Sequence, residues 1–429
     1  MKLTKDFILE LSKSKNEPEW MLDFRLKSFE KFLELDNPEF GPSIDIDFDK
    51  INYYKKVSDQ KSDWEEVGSD IKSTFKELGV IDAENKYLHG VSNQMESEVV
   101  YHNMKESDSG VIFLSTDEAL KQHPDLFKEY FNKLVDYTEN KYTALNGALW
   151  SGGSFIYLPP NTRLDRPLQS YFRINSASLG QFERTIIIVD NNSELSYIEG
   201  CTAQSHSENS LHAGVVEIFI KDNASCKYST IQNWSNDVYN LVTKRATLEK
   251  EARMEWIDGN LGSKVTMKYP CSILKGDNSS SNSISIAFAK EGQELDAGAK
   301  MIHIGKNTKS NIISKSIASG GGISNYRGTV NITKEASNSS AIIKCDTILL
   351  DDLSSSDTFP KNICSNDSST LEHEATVSKV SEEKLNYLMT KGLSEDAAKE
   401  LLIMGFIADF KKELPLEYAV ELNRLLKNN

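Results

Sequence analysis

Seven dipeptides of one form recur through the middle of this chain at nearly constant spacing, and few folds accommodate such a series. They are Asn161-Thr162, Asn192-Ser193, Asn223-Ala224, Glu251-Ala252, Asn278-Ser279, Asn307-Thr308 and Glu335-Ala336, each an Asn or Glu followed by a small residue. Successive small residues are 31, 31, 28, 27, 29 and 28 positions apart. A β-solenoid needs this arrangement, because every coil turns at a fixed place and its strands pair with those of the next coil ~4.8 Å away. A β-sandwich would show shorter, less regular turn spacing and no register between distant turns. The series predicts a mainly β chain built on a parallel β-helix.

Short β-rich runs between turn residues place strands at Ser154–Leu158, Arg184–Val189, Val215–Ile220, Met254–Ile257 and Ile284–Phe288. Residues 1–140 read instead as a helical segment. Asn16-Glu17-Pro18-Glu19 is a helix start leading into Trp20–Leu35, and a further helix is expected over Asp117–Leu134. The β-helix core is then 141–378, and 379–429 is a helical tail. In the tail, helices begin at Val380-Ser381-Glu382-Glu383, at Ser394-Glu395-Asp396 and at Pro415.

The 429 residues carry a formal charge of −15 and 26% charged side chains, a folded composition with no basic field for nucleic acid. Solubility accounts for that charge. No run of about 18 apolar residues occurs, so no membrane span is expected. The N-terminal MKLTKDFILELSKSK lacks the apolar core of a signal peptide. Five widely spaced cysteines, Cys201, Cys226, Cys271, Cys345 and Cys364, do not form a disulfide framework. A reducing compartment is expected: cytoplasm, or plastid stroma for an organelle-encoded copy.

The sequence holds no P-loop, GxGxxG, GxSxG, HExxH or CxxC, so ATP hydrolysis by this chain is not expected. What could do chemistry is a set of single cysteines and the acidic histidine cluster Glu372-His373-Glu374. On a strand Thr370–Val377, the two glutamates share one face and His373 points to the other. Cys345-Asp346 would close a strand just upstream. Thiolate, imidazole and carboxylate together can hold iron or zinc. Taken alone, each cysteine is more often a small buried hydrophobe than a ligand, and Glu-His-Glu is also readable as a solvated strand edge. Cys201 and Gln232 each lie eight residues beyond their repeat dipeptide's small residue, which places them about one coil apart.

Longer strings carry a resemblance. NEPEWMLDFRLKS (16–28), WSGGSFIYLP (150–159), YFRIN (171–175), GQFERTIIIVD (180–190), YIEGCTA (197–203), TIQNWSNDVYNLVTKR (230–245), CDTILLDD (345–352) and LEHEATVSKVSEE (371–383) run in family order along nearly the whole chain. The chain resembles the SufB/SufD scaffold family of the SUF iron–sulfur cluster assembly machinery. EGCTA and LEHEATVSKVSEE point to its SufB branch. The resemblance implies a right-handed parallel β-helix between helical segments and a scaffold rather than an enzyme. ATP hydrolysis would belong to a partner ATPase, SufC, docked on residues 380–406 and the nearby tail. The further implied partners are SufD or a second copy of the chain, and a cysteine desulfurase with its sulfur carrier. The implied cargo is a transient 4Fe–4S or 2Fe–2S cluster, with reduced flavin an optional component of the complex that no residue here is assigned to hold.

Carried over position by position, Cys201 resembles the sulfur-entry cysteine. Arg173, Asn175, Gln232, Trp234 and Lys244 resemble residues lining the sulfur's route, with cationic neighbours expected to favour a Cys201 thiolate. Cys345 resembles the cluster-building cysteine, with Glu372, His373 and Glu374 as iron-holding partners at a subunit interface. Cys226, Cys271 and Cys364 fall outside the carried-over strings and read as structural. The alternatives are a cluster-free paralogue of the SufD kind and, more remotely, a β-helix enzyme acting on polysaccharide.

Overall fold

The computed structural model describes residues 2–77, 87–104 and 110–413. Its body is a parallel β-solenoid of about eight turns with helices at both ends. Two sheets form facing walls. One is ten-stranded and, after an antiparallel hairpin at Gly90–Met95 and Glu98–Met104, runs in parallel from Leu168–Ile174 through Glu194–Ala203, Ser225–Asn233, Arg253–Leu261, Ser280–Ala289, Lys309–Ala318 and Ser340–Leu349 to Thr370–Lys379. The other is twelve-stranded and ends at Thr358–Cys364.

The repeat works because of its chemistry. Asn161, Asn192, Asn223, Glu251, Asn278 and Asn307 all take φ between 55 and 61°, the left-handed region that asparagine tolerates best among residues with a side chain. From Ser193 to Thr308 the following small residue is buried in the lumen corner, where a larger side chain would not fit. The seventh turn differs from expectation. It is Asn338, at φ 53°, that turns left-handed there, followed by buried Ser339, and Glu335-Ala336 lies three residues upstream. The Asn307 N–H bonds to the Ser337 carbonyl, just as Asn278 N–H bonds to Lys306, which fixes this register.

Three of the expected strands, Ser154–Leu158, Arg184–Val189 and Val215–Ile220, have the predicted bounds; the other two lie within longer strands, Arg253–Leu261 and Ser280–Ala289. Ile187 and Val189 face the lumen, while Ile186 and Ile188 face an outer cluster with Phe127, Trp150 and Phe155. The helix Glu19–Glu34 forms as expected. The one expected over Asp117–Leu134 is split at Pro124 into Thr116–Gln122 and Pro124–Tyr130, because proline cannot continue the preceding helix's bonding. Three strands, Gly90–Met95, Glu98–Met104 and Ile112–Ser115, lie in the segment expected to be helical. Buried Arg184 and Glu217 pair at 2.9 Å, and Glu217 also accepts the N–H groups of Asn132, Leu134 and Val135, tying the first segment to the solenoid.

In the tail, Ser381 and Ser394 cap helices Glu382–Thr390 and Glu395–Phe406. Ile403, Ile407 and Phe410 pack on the outer face of the first sheet against Ile231, Ile257 and Phe288. The helix expected from Pro415 lies outside the described residues. Among the described residues no helix is long and apolar enough to cross a membrane.

Candidate functional site in the solenoid lumen

A solenoid lumen is ordinarily filled with stacked apolar side chains, and part of this one is not. The strand Glu194–Ala203 turns Tyr197, Glu199 and Cys201 inward by its two-residue alternation, all buried. Cys201 pairs in register with Gln232 on the next coil, and the Gln232 Nε2 lies 3.9 Å from the Cys201 sulfur. Glu199 Oε1 is the centre of the group. It accepts from Lys244 Nζ at 2.8 Å, Thr230 Oγ1 at 3.2 Å and Gln232 Nε2 at 3.4 Å, and lies 3.8 Å from Cys201 Sγ. Tyr228 donates to its other oxygen. Lys268 Nζ is 2.7 Å from Asp258 and 3.0 Å from Gln232 Oε1.

Buried charges in so small a space shift one another. Burial would push the Glu199 carboxyl up, but Lys244 and Tyr228 outweigh it and hold it down to about 2. Lys244, opposed by burial, is raised by the charge of Glu199, whereas burial pulls Lys268 down. Cys201 departs from the expected thiolate. Burial, then the charges of Glu199 and Glu183, push its thiol well above the ordinary value, and Lys244 and Lys268 offset this only in part. Cationic neighbours are present, but the carboxylates beside them win.

Of the residues expected on the route, Gln232 and Lys244 meet Cys201 through Glu199, and Trp234 shares an apolar cluster with Cys201 and Phe172. Arg173 and Asn175 are not in that group. Phe172 pairs with Cys201 and faces inward, so Arg173 lies on the opposite face of its strand, where it donates to Asn175 Oδ1 at 2.6 Å and Thr202 Oγ1 at 3.0 Å. Glu199, Asp258, Lys268, Glu183, His212 and Asn240 escaped the sequence reading. For Glu199 the signal was present, two residues before Cys201 and so on the same face of a strand.

At the far end, Cys345 sits mid-strand in Ser340–Leu349 rather than closing it, buried on the lumen side. Its sulfur is 3.7 Å from His373 Nε2. Burial pushes the thiol up to about 12, with a hydrogen bond from Tyr326 working the other way. Burial also lowers the His373 pKa, which keeps the imidazole neutral and able to ligate metal. Glu372 and Glu374 face the opposite side, exposed beside Ile342 and Lys344. Cys345 and His373 are thus brought together, and the two glutamates are not. Among the described residues no three His, Cys, Asp or Glu side chains are grouped to hold one ion. Cys226 and Cys271 are buried, Cys226 in the lumen's apolar stack, and Cys364 is exposed on the last coil.

One column of side chains joins the coil of Cys201 to that of Cys345. Strand register aligns Glu199, Thr230, Asp258, Ser285, Ser314 and Cys345 as one inward-facing column, polar at every level. Five strand spacings of ~4.8 Å make it about 24 Å long. Thr230 bonds to Glu199, and Ser285 to Ser314 at 3.1 Å.

Residues 80–170 match the SufBD protein N-terminal region, and residues 172–406 match the SufBD core domain of the SUF system for FeS cluster assembly. The chain is 55% identical, over 99% of its length and 92% of the relative's, to the iron-sulfur cluster assembly protein SufB of Bacillus subtilis. It is 54% identical over the same shares to an iron-sulfur cluster assembly SufBD family protein of Staphylococcus epidermidis, and 55% to one of Staphylococcus aureus. A polar, thiol-bearing lumen in a parallel β-helix, full-length likeness to these proteins and both halves of the family pattern lead to one conclusion: the chain belongs to the SufB/SufD family of SUF iron–sulfur cluster assembly proteins.

Proposed function

We propose that this chain is the scaffold on which sulfur and iron are combined, with Cys201 accepting sulfur and Cys345 building the nascent cluster. The observation that carries the reading is the column of polar side chains between the coil of Cys201 and that of Cys345. A structural lumen gains nothing from buried Glu199, Lys244, Asp258 and Lys268, since each charge loses hydration on burial. A path for anionic sulfur uses the ammonium groups of Lys244 and Lys268, the Gln232 amide and the hydroxyls of Thr230, Ser285 and Ser314 as donors, with Glu199 and Asp258 holding the two lysines in place. Cys201 is 1% exposed, so loading by a cysteine desulfurase or its carrier requires the wall above it to open.

Cys345 and His373 supply two ligands, fewer than a cluster needs, and they lie in the last two strands of the first sheet. The last strand of each sheet, Thr370–Lys379 and Thr358–Cys364, has one neighbour, and Phe359, Ile363 and Val377 are exposed there. Unpaired edges and apolar side chains of this kind suit a second solenoid end, here SufD or a second copy, whose residues would complete the ligand set, while Glu372 and Glu374 stand on the other face of the strand. The SufC ATPase is assigned to the tail, where Tyr387, Met389, Leu393 and Leu401 remain exposed after the inner helix face has packed on the solenoid. The cluster, 4Fe–4S or 2Fe–2S, is cargo.

The test uses the chain with its partners under anaerobic conditions. Cys201→Ser loses sulfur uptake from the physiological donor but still forms a cluster from free sulfide and iron. Cys345→Ser takes up sulfur and retains no cluster from either source. Identical behaviour of the two variants in both assays refutes the division of labour.

A further inference from the structure

Which end of the Gln232 amide faces Cys201 is not left to chance. Its oxygen is held by two donors, Asn240 Nδ2 at 2.7 Å and Lys268 Nζ at 3.0 Å, leaving its NH2 toward Glu199 and the Cys201 sulfur. Asn240 is oriented in turn: its Nδ2 also reaches Thr266 Oγ1 at 3.2 Å, and its Oδ1 faces His212 Nδ1 at 2.8 Å. The other nitrogen of His212 lies 2.8 Å from a Glu183 oxygen, and the ring packs against Trp234 with centroids 4.6 Å apart. All of these side chains are buried. An imidazole between a carboxylate and an amide oxygen satisfies both only with both nitrogens protonated. Burial opposes that charge, but Glu183 outweighs it and raises the His212 pKa. Every donor from His212 to Gln232 therefore points one way, toward the thiol.

We propose that Glu183, His212 and Asn240 form a positioning relay that presents the Gln232 N–H to the Cys201 sulfur during sulfur acceptance. The inference rests on Cys201 being the acceptor. In that step Cys201–SH and a donor persulfide R–S–SH give Cys201–S–SH and R–SH. One S–S bond forms at Cys201, one breaks in the donor, and the Cys201 proton ends on the departing donor thiolate, with no net oxidation. The sulfur is anionic on the way, and a buried anion without a donor is strongly disfavoured. A neutral His212 Nδ1 would favour the reverse orientation of Asn240, which would turn the Gln232 oxygen toward the thiol.

The full chain is treated with glutathione persulfide, and persulfide on the Cys201 peptide is followed by mass spectrometry against pH. His212→Leu removes the donor, and Asn240→Asp draws the Gln232 NH2 away from Cys201. Both are expected to slow loading about tenfold, the effect of one hydrogen bond to a charged group, and to move the profile to higher pH. His212→Gln, which can still donate to Asn240, keeps a near-parental rate and profile. Parental rate and profile in both His212→Leu and Asn240→Asp overturn the relay. Equal slowing in all three variants with an unmoved profile marks a packing role and overturns it too. If His212→Leu fails to fold by circular dichroism, Asn240→Asp decides. Sulfur on another cysteine of the parent chain, with none on Cys201, overturns the acceptor assignment itself and the relay with it.

Discussion

Glu199→Gln keeps the shape of the side chain and removes the charge at the centre of the lumen network, so it should act in two opposite directions. Lys244, 2.8 Å away and 1% exposed, loses its main partner. Breaking a buried pair by removing one member costs about 3–5 kcal/mol, a large share of a typical stability of about 5–15 kcal/mol. Deprotonation of Lys244 limits the loss. The thiol gains at the same time, because after burial Glu199 is the chief reason that the Cys201 pKa is high. A unit charge 3.8 Å from Cys201 Sγ is worth about 4 kcal/mol at an effective dielectric of ~20. Cys201 should therefore react with iodoacetamide at least ~10-fold faster at fixed pH, since each pKa unit is tenfold in thiolate.

A destabilised fold also opens more often, which would speed alkylation of any buried thiol. Cys226 controls for this: it is equally buried in the same lumen, and burial alone raises its thiol to about 12. The measurement is urea unfolding together with alkylation rates read peptide by peptide. Equal acceleration of Cys201 and Cys226 would mean that only opening had changed, and no acceleration of Cys201 would refute the electrostatic account. The pH dependence has a definite sign. Glu199 is held at about 2 in the fold against an ordinary 4.5, so its stabilisation is present above about 4.5 and fades as pH falls toward 2. The stability gap between parent and Glu199→Gln should close over that interval.

Ile187→Asp places an unpaired carboxylate in the apolar part of the lumen and should cost several kcal/mol in urea unfolding; an unchanged midpoint would contradict the inward facing of Ile187. Tyr387→Glu with Leu401→Glu alters the exposed face of the tail helices and should abolish binding of the ATPase partner in a pull-down with an unchanged β-rich circular dichroism spectrum; retained binding moves the docking site elsewhere. His373→Ala should lower iron retained at Cys345 while sulfur loading of Cys201 continues, and Cys364→Ser, on an exposed thiol, should match the parent in both assays.

The fold was legible because the turn chemistry repeats. Left-handed backbone at one corner of each coil selects Asn, and the buried corner beside it selects Ser, Ala or Thr, so the dipeptides at 161, 192, 223, 251, 278 and 307 marked true turns. Glu335-Ala336 also lies in a turn, closed by the Ala336 N–H on the Thr333 carbonyl, but the left-handed corner that continues the series is Asn338-Ser339, which fits the same form three residues later. A two-letter pattern cannot choose between neighbours; the backbone bond from Asn307 N–H to Ser337 does. The hairpin at Gly90–Met104 escaped for a different reason: its turn, Glu96-Ser97, has the same form, with Glu96 at φ 58°, but it stands apart from the regular series.

That three-residue shift concealed the most informative feature of the site. With the seventh turn at Ser339, Cys345 lies six residues beyond its corner, as Glu199, Thr230, Asp258, Ser285 and Ser314 lie six beyond theirs. Cys201 and Gln232 occupy the eighth place. Counting from a correctly placed corner would therefore have aligned Cys345 with Glu199, two residues before Cys201, along one polar column from the sequence alone. What no counting could supply is the second wall. Lys244, Lys268, His212 and Asn240 reach the path from strands whose register is set by loops of varying length, such as the break at Tyr269-Pro270 that divides Val265–Lys268 from Cys271–Leu274. Lys244 and Lys268 only partly offset what burial and the carboxylates do to Cys201. A cysteine near two lysines reads as a thiolate in one dimension; burial, then the charges of Glu199 on its own strand and of Glu183, keep it a thiol. If Cys201 is the sulfur acceptor, as proposed, a protonated thiol keeps it unreactive until the lumen opens.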